Sequence, residues 1–279
     1  MVGEIGLGGM PLSISRDRAS EADSVRVLLA AADAGITLWD TANAYCIDDT
    51  ETGHNERLFR QAYGQLPADS KEQVVIATKG GHVRTEGRWD YEGNPEALRK
   101  AIDASLESLG LDCIPLYQFH RPDPNVPIED SLGALEEARQ AGKIKHVGVS
   151  NFSVEQIERG LKVTPFISVQ NRYSLGVRTP EEDGVLAKCK ELGLAFLPYS
   201  PLGGIKAAKG EGVSSAESIA DELGVSPQRV ALAWLLTKYD RMIPIPGFSR
   251  IESAEDSAKA TDVVLSPDQL ARLNAQTGA

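Results

Sequence analysis

Short runs of aliphatic and β-branched residues, closed by Gly, Asn or Ser, alternate along the chain with longer stretches whose apolar positions recur every three or four residues. The short runs fall near residues 4–8, 36–40, 74–79, 114–119, 145–149, 166–170, 194–198 and 242–245, and an amphipathic stretch follows each one. Strand-then-helix repetition needs a parallel sheet with its crossovers packed outside, and eight units predict a sheet closed on itself. The expected architecture is a parallel, eight-stranded (β/α)8 TIM barrel, a single domain over residues 1–279, with an additional C-terminal helix near 266–276. Helix starts are written in local chemistry: Ser20-Glu21 before Ala22, Asn94-Pro95-Glu96, Ser153 with Gln156 three residues on, and Ser226-Pro227. After Pro95, Leu98, Ile102, Leu106 and Leu109 make one apolar stripe, predicted to face the strands.

Two segments interrupt the alternation, residues 46–53 (CIDDTETG) and 201–213 (PLGGIKAAKGEGV). Both join a strand to the following helix, so both belong to the barrel face where loops carry chemistry. With residues 80–93 they are expected to shape a substrate pocket.

Composition narrows the partners. The 279 residues are 42% hydrophobic and 25% charged, which suits a folded protein with a sizeable core. A formal net charge of −11 opposes phosphate backbones and anionic lipid, so no nucleic acid and no membrane are expected as partners. A phosphorylated ligand would need its own cluster of backbone N–H groups and cations. No apolar run reaches the roughly 18 residues that span a bilayer, and the chain starts without a basic segment leading into an apolar one, so the expected location is cytoplasmic. Cys46, Cys113 and Cys189 lack C-x-x-C spacing and are read as small buried thiols. His54, His82 and His146 lack partners at metal-ligand spacing, and no metal is expected; His82, three residues past Lys79, is also a pocket candidate.

Gly6-Leu7-Gly8-Gly9-Met10-Pro11 invites a dinucleotide-binding reading, but Pro11 stands where the third glycine belongs, and that reading is rejected. Four ionisable residues fall instead at strand ends or just beyond: Asp40, Tyr45, Lys79 and His120. On a closed barrel all four converge on one rim. Carbonyl reduction needs an acid for the developing alkoxide, and a phenol with a pKa of about 10 is a poor one until tuned. A neighbouring Lys79 ammonium is expected to lower the Tyr45 pKa by about two pH units, worth about 3 kcal/mol. Asp40 is expected to hold Lys79 charged, and His120 to hydrogen-bond the substrate oxygen. Trp89 is either a pocket aromatic or packed beneath its loop.

Trp39-Asp40-Thr41-Ala42-Asn43-Ala44-Tyr45, Gly53-His54-Asn55-Glu56, Lys79-Gly80, Leu116-Tyr117-Gln118-Phe119-His120, Gly148-Val149-Ser150-Asn151-Phe152, Gln170-Asn171-Arg172-Tyr173, Tyr199-Ser200-Pro201-Leu202-Gly203 and Ile245-Pro246-Gly247 together resemble, in order, the successive signatures of the aldo-keto reductase family. The resemblance covers nearly the whole chain. It implies an NADP(H)-dependent oxidoreductase that reduces an aldehyde or ketone, or runs in reverse, with Tyr45 as general acid and Asp40, Lys79 and His120 as the other catalytic positions. It also implies that Ser150, Asn151 and Gln170 bond the nicotinamide carboxamide, that Tyr199 stacks on the nicotinamide, and that Ser200, Leu202 and Gly203 run along the pyrophosphate, with Gly9 and Met10 on the first loop. Gly247, Phe248, Ser249 and Arg250 match the family's pocket for the adenosine 2′-phosphate, and Asp256 and Ser257 its adenine contacts. Ser253 stands where the family often has arginine, and Ser257 where it often has asparagine.

Two alternatives remain open on sequence. The family also includes nicotinamide-binding regulatory subunits with little turnover, which could retain every motif. An unrelated barrel could use Lys79 as a Schiff-base nucleophile, which would require a lowered lysine pKa.

Overall fold

The computed structural model describes residues 2–203 and 214–275. Seven parallel strands form one sheet in chain order: β1 (Gly6–Gly8), β2 (Leu38–Asp40), β3 (Val75–Gly80), β4 (Ile114–Phe119), β5 (Ile144–Ser150), β6 (Phe166–Gln170) and β7 (Ala195–Phe196). Helices α1 (Glu21–Asp33), α2 (His54–Gln65), α3 (Pro95–Leu109), α4 (Ile128–Gln140), α5 (Val154–Gly160) and α6 (Val185–Leu192) provide the crossovers. Beyond β7 come α7 (Ser214–Leu223), α8 (Pro227–Leu236) and α9 (Ile251–Ala258), then the additional helix α10 (Pro267–Asn274).

The expected eighth strand, 242–245, forms no regular ladder, and its composition explains why. Ile243 N donates to Phe196 O (2.9 Å) and Ile245 N to Pro198 O (3.1 Å), while the carbonyls of Pro244 and Pro246 accept from Gly6 N and Gly8 N (2.8 Å each). The ring is therefore closed into a (β/α)8 barrel. On the β1 side the two prolines accept and cannot donate, so the return hydrogen bonds from those two positions are absent.

The helix caps follow the sequence. Ser20, Asn94 and Ser226 accept from the backbone N–H groups of Asp23, Ala97 and Arg229, and Ser153 with Gln156 forms a complete capping box. Leu98, Ile102 and Leu109 are buried, and Leu106 packs at the margin of the same core. That core fills the shell between strands and helices. A second, smaller cluster lies inside the barrel: Leu38, Ala77, Leu116, Leu197 and Ile245. One step along the strands, the interior turns polar, with Asp40, Lys79, Gln118 and Gln170 all buried. The apolar layer is a floor, and the polar layer above it faces the loops. Cys46 and Cys189 are buried as expected, whereas Cys113 is exposed because it lies in the turn entering β4. No described helix is long and apolar enough to cross a membrane.

Behind β3, Glu56 on α2 is fully buried, accepting from the Thr78 hydroxyl at 2.6 Å. Its second oxygen, Ser105 Oγ and the Tyr117 hydroxyl lack partners. Burial pushes the Glu56 carboxyl up to about 7, against which the Thr78 hydrogen bond pulls only partly. A raised folded-state pKa means that the fold binds the proton more tightly than the unfolded chain. The resulting stabilisation is complete below the ordinary carboxylate range and is lost as pH rises through about 7, a change on the order of 3 kcal/mol. Urea unfolding of Glu56→Gln beside wild type should show the variant gaining relative stability between pH 5 and pH 8. Parallel curves would sink this account.

Candidate active site

Each member of the polar layer sits where a strand ends. Asp40 closes β2, Lys79 is the penultimate residue of β3, Gln118 lies beside it on β4, and Ser150 and Gln170 end β5 and β6 in register with each other. His120 follows β4, its backbone N–H donating to Gly80 O (2.9 Å). Tyr45 lies on the loop after β2, which continues to track β3 through Thr41 N to Ala77 O (2.8 Å) and Asn43 N to Lys79 O (3.2 Å). That backbone pairing carries the phenol over the barrel mouth.

Lys79 is fully buried, and its three ammonium hydrogens find three acceptors: Asp40 Oδ2 at 2.5 Å, Thr41 O at 2.9 Å and the Tyr45 hydroxyl at 3.1 Å. Burial opposes its charge, but Asp40 and Tyr45 together hold it above the usual lysine range. An amine kept protonated is unavailable as a Schiff-base nucleophile, which removes the observation that alternative needs. The Tyr45 pKa departs from expectation. Burial is the largest influence and raises it; Lys79 pulls it down, but Asp40 pushes the same way as burial, and the balance lies above the ordinary tyrosine range. The phenol therefore holds its proton across neutral pH. His120 is displaced well below its usual value, first by burial and then by Lys79, and is a neutral imidazole whose Nδ1 has no partner.

A two-stranded antiparallel hairpin, His82–Val83 with Asp90–Tyr91, stands on the loop after β3. It brings the His82 ring to 4.8 Å from the His120 ring, and sets Trp89 edge-on to Tyr45 (6.4 Å) and His120 (6.2 Å). Trp89 thus lies against the Tyr45–His120 cluster, 41% exposed, with the Arg84 guanidinium 4.6 Å from its ring centre. His82 is neutral, its pKa pushed down to about 4 mainly by burial. Across the mouth, the acidic 46–53 loop winds into a short 3-10 turn, Asp49–Glu51, pinned by a two-pronged Arg18–Glu51 pair at 2.8 and 3.0 Å.

The residues matched to the cofactor form two groups. Ser150 Oγ donates to Gln170 O (2.8 Å); Asn151 Nδ2 donates to His120 O and Ser150 Oγ, and Asn151 Oδ1 accepts from Arg121 and the Tyr199 hydroxyl (2.8 Å). These residues border the catalytic cluster. Asn151 and Ser200 adopt left-handed backbone, φ 60° and 49°, a conformation that side-chain-bearing residues seldom take and that concentrates at binding sites. Leu202 packs against the outer core and Gly203 completes a turn onto Ser200 O; residues 204–213 of the predicted loop lie outside the described residues. Gly9 must be glycine, because a Cβ there would meet Asn55 Oδ1 at 2.5 Å and the Phe59 ring at 2.6 Å; Met10 opens a 3-10 turn beside it.

The second group is at the seam. Gly247, Ser249 and Arg250 are exposed at the start of α9, with Arg250 at its N-cap, whereas Phe248 is buried in the core. Arg250 makes no ion pair among the described residues. Asp256 is already engaged, by Arg229 at 2.7 Å and by the Ser226 hydroxyl, and Ser257 is buried next to it. Sequence reasoning passed over Gln118, which was quoted within a motif but given no task. Its alternation with Leu116 on β4 placed it inside the barrel but pointed to no partner.

A closed barrel with this buried Asp-Lys-Tyr cluster at its loop face matches the comparisons. The sequence model of the Aldo/keto reductase family matches residues 4–277, and the chain belongs to that family. Among its relatives, a probable aldo-keto reductase of Glycine max is 33% identical over 96% of this chain and 84% of its own length. An NADP(+) aldo-keto reductase of Schizosaccharomyces pombe, yakc, is also 33% identical, over 94% of this chain and 84% of its own. Among solved structures, an aldo/keto reductase from Klebsiella pneumoniae in complex with NADP and acetate superposes with a TM-score of 0.82 at 27% identity, covering 98% of this chain and 90% of that one.

Proposed function

We propose that the protein is an NADP(H)-dependent oxidoreductase that interconverts a small aldehyde or ketone with its alcohol, Tyr45 donating the proton to the carbonyl oxygen. The observation that carries this reading is the Asp40–Lys79–Tyr45 chain, with a neutral His120 and an aromatic lip beside it. The donor set fits a nicotinamide dinucleotide. Gln170 uses its amide nitrogen inside the barrel and keeps Oε1 free for a carboxamide, and the Tyr199 hydroxyl donates to Asn151, whose backbone N–H donates to Gln170 O. Ser249, Arg250 and the first N–H groups of α9 suit a phosphomonoester. When bound, the nicotinamide supplies or takes the hydride. The chain supplies the rest: Lys79 orients the phenol, His120 steadies the carbonyl oxygen, and Trp89 with His82 shields it from water.

The test is NADPH oxidation, followed in the near ultraviolet, against a panel of aldehydes and ketones. Turnover supports the reading. Tight NADPH binding with no turnover across the panel favours the regulatory-subunit alternative. Cofactor choice is tested separately: Arg250→Ala should weaken NADPH about ten- to a hundredfold and NADH less than about twofold, as measured by fluorescence titration. Equal losses would remove Arg250 from the 2′-phosphate.

A further inference from the structure

Asp40 is buried to 1% exposure and carries two oxygens that can only accept. Oδ2 is taken by Lys79. Oδ1 accepts from two amides, Gln118 Nε2 at 2.9 Å and Gln170 Nε2 at 2.9 Å. Gln118 Oε1 in turn accepts from Gln170 Nε2 at 3.0 Å. Because a carboxylate donates nothing, the orientation of both amides is determined: each must turn its nitrogen toward Asp40. Gln118 thus offers its oxygen to Gln170, and Gln170 keeps only its own oxygen free.

The barrel is shaped to keep Gln118 in that place. It pairs in register with Lys79 on one side and Gly148 on the other. A Cβ at Gly148 would stand 2.9 Å from Gln118 Cγ and 2.6 Å from Ser168 Oγ, so the neighbouring strand gives up its side chain to the space that Gln118 fills. Leu116, two residues earlier on the same strand, belongs to the apolar floor; Gln118 is the first polar residue above it.

We propose that Gln118 is a positioning residue with two outputs: through Asp40 it fixes the Lys79 ammonium under Tyr45, and through Gln170 it fixes the amide that faces the nicotinamide. The inference rests on the roles proposed above for Tyr45 and Gln170. Gln118 touches neither the reacting carbonyl nor the phenol and acts only by holding others. Removing it leaves Asp40 Oδ1 with one donor and leaves the Gln170 amide held by that single hydrogen bond instead of two.

The test uses Gln118→Met, which keeps length and volume while removing both hydrogen bonds, and Gln118→Asn, which keeps an amide but is one methylene too short to reach both partners. Two ligands are titrated by fluorescence or calorimetry: NADPH, and 2′-phospho-ADP-ribose, which shares everything except the nicotinamide. Both variants should weaken NADPH at least about threefold and leave 2′-phospho-ADP-ribose unchanged, and kcat for an aldehyde such as 4-nitrobenzaldehyde should fall about tenfold or more. A merely structural role would weaken the two ligands together. That result in either variant, or an NADPH affinity unchanged in both, overturns the proposal. Failure of the wild-type protein to bind NADPH, or full turnover by Tyr45→Phe, would instead overturn the functional reading, and is seen before the Gln118 variants are compared.

Discussion

Tyr45→Phe is expected to lower turnover by about 10²- to 10⁴-fold while leaving NADPH affinity within about a factor of two of wild type. The asymmetry follows from position. The Tyr45 hydroxyl meets Lys79 at 3.1 Å and its ring packs edge-on to His120 and Trp89, while the residues proposed for the nicotinamide and the 2′-phosphate lie on β5, β6 and the segments after them. Removing one oxygen from a buried ring keeps the packing and takes away the only proton that Lys79 orients. The raised pKa sharpens the expectation: with its proton held across neutral pH, the phenol is supplied in the acid form that reduction requires, and the reduction rate should be flat through neutrality and fall only on the alkaline side. Stopped-flow or steady-state absorbance settles the first point and a pH series the second. A Tyr45→Phe protein that turns over normally rules out the phenol as the acid.

Lys79→Met should be the more damaging change for the fold. Asp40 and Lys79 form an ion pair with both partners essentially inaccessible, so removing the cation leaves a carboxylate in the interior with only two amide donors. The expected loss is about 3–5 kcal/mol of unfolding free energy, a large share of a typical domain's stability. The double variant Asp40→Asn/Lys79→Met no longer buries an unpaired charge and should recover much of that loss, while remaining catalytically dead. Urea unfolding of the three proteins separates the two effects. If Lys79→Met unfolds at the wild-type midpoint, the buried-pair account is wrong even if activity is lost.

What was legible in advance was whatever is encoded by local period and by residue types at strand ends. Seven strands lie within two residues of expectation, and the four tested N-caps form, because alternation and capping are short-range properties. The convergence of Asp40, Tyr45, Lys79 and His120 could be read because parallel strands all present the same end to the same face. Three things could not. The hairpin at 82–91 has strands of two residues each, too short to show alternation, and it is what brings His82 and Trp89 over the site. The direction of the Tyr45 shift depends on burial: charge alone said down, and desolvation reversed it. Gln118 had no distinguishing mark as a residue type, since its task appears only when three strands place two amides on one carboxylate oxygen.

The proline-interrupted seam between β1 and residues 244–246 also orders events in time. Its contacts join chain positions more distant than those of any other strand pair in the barrel, so they carry the largest loop-closure cost and are expected to form in the last steps of folding. On a ribosome, β1 emerges long before residues 244–246 and its edge stays open until they have been made. The segment that finally covers it leads directly into Gly247–Arg250, the proposed anchor for the cofactor's phosphate. Capacity to hold a dinucleotide is therefore acquired at the moment when the exposed edge disappears, and a ligand seated there would act as a clasp on the newly closed ring.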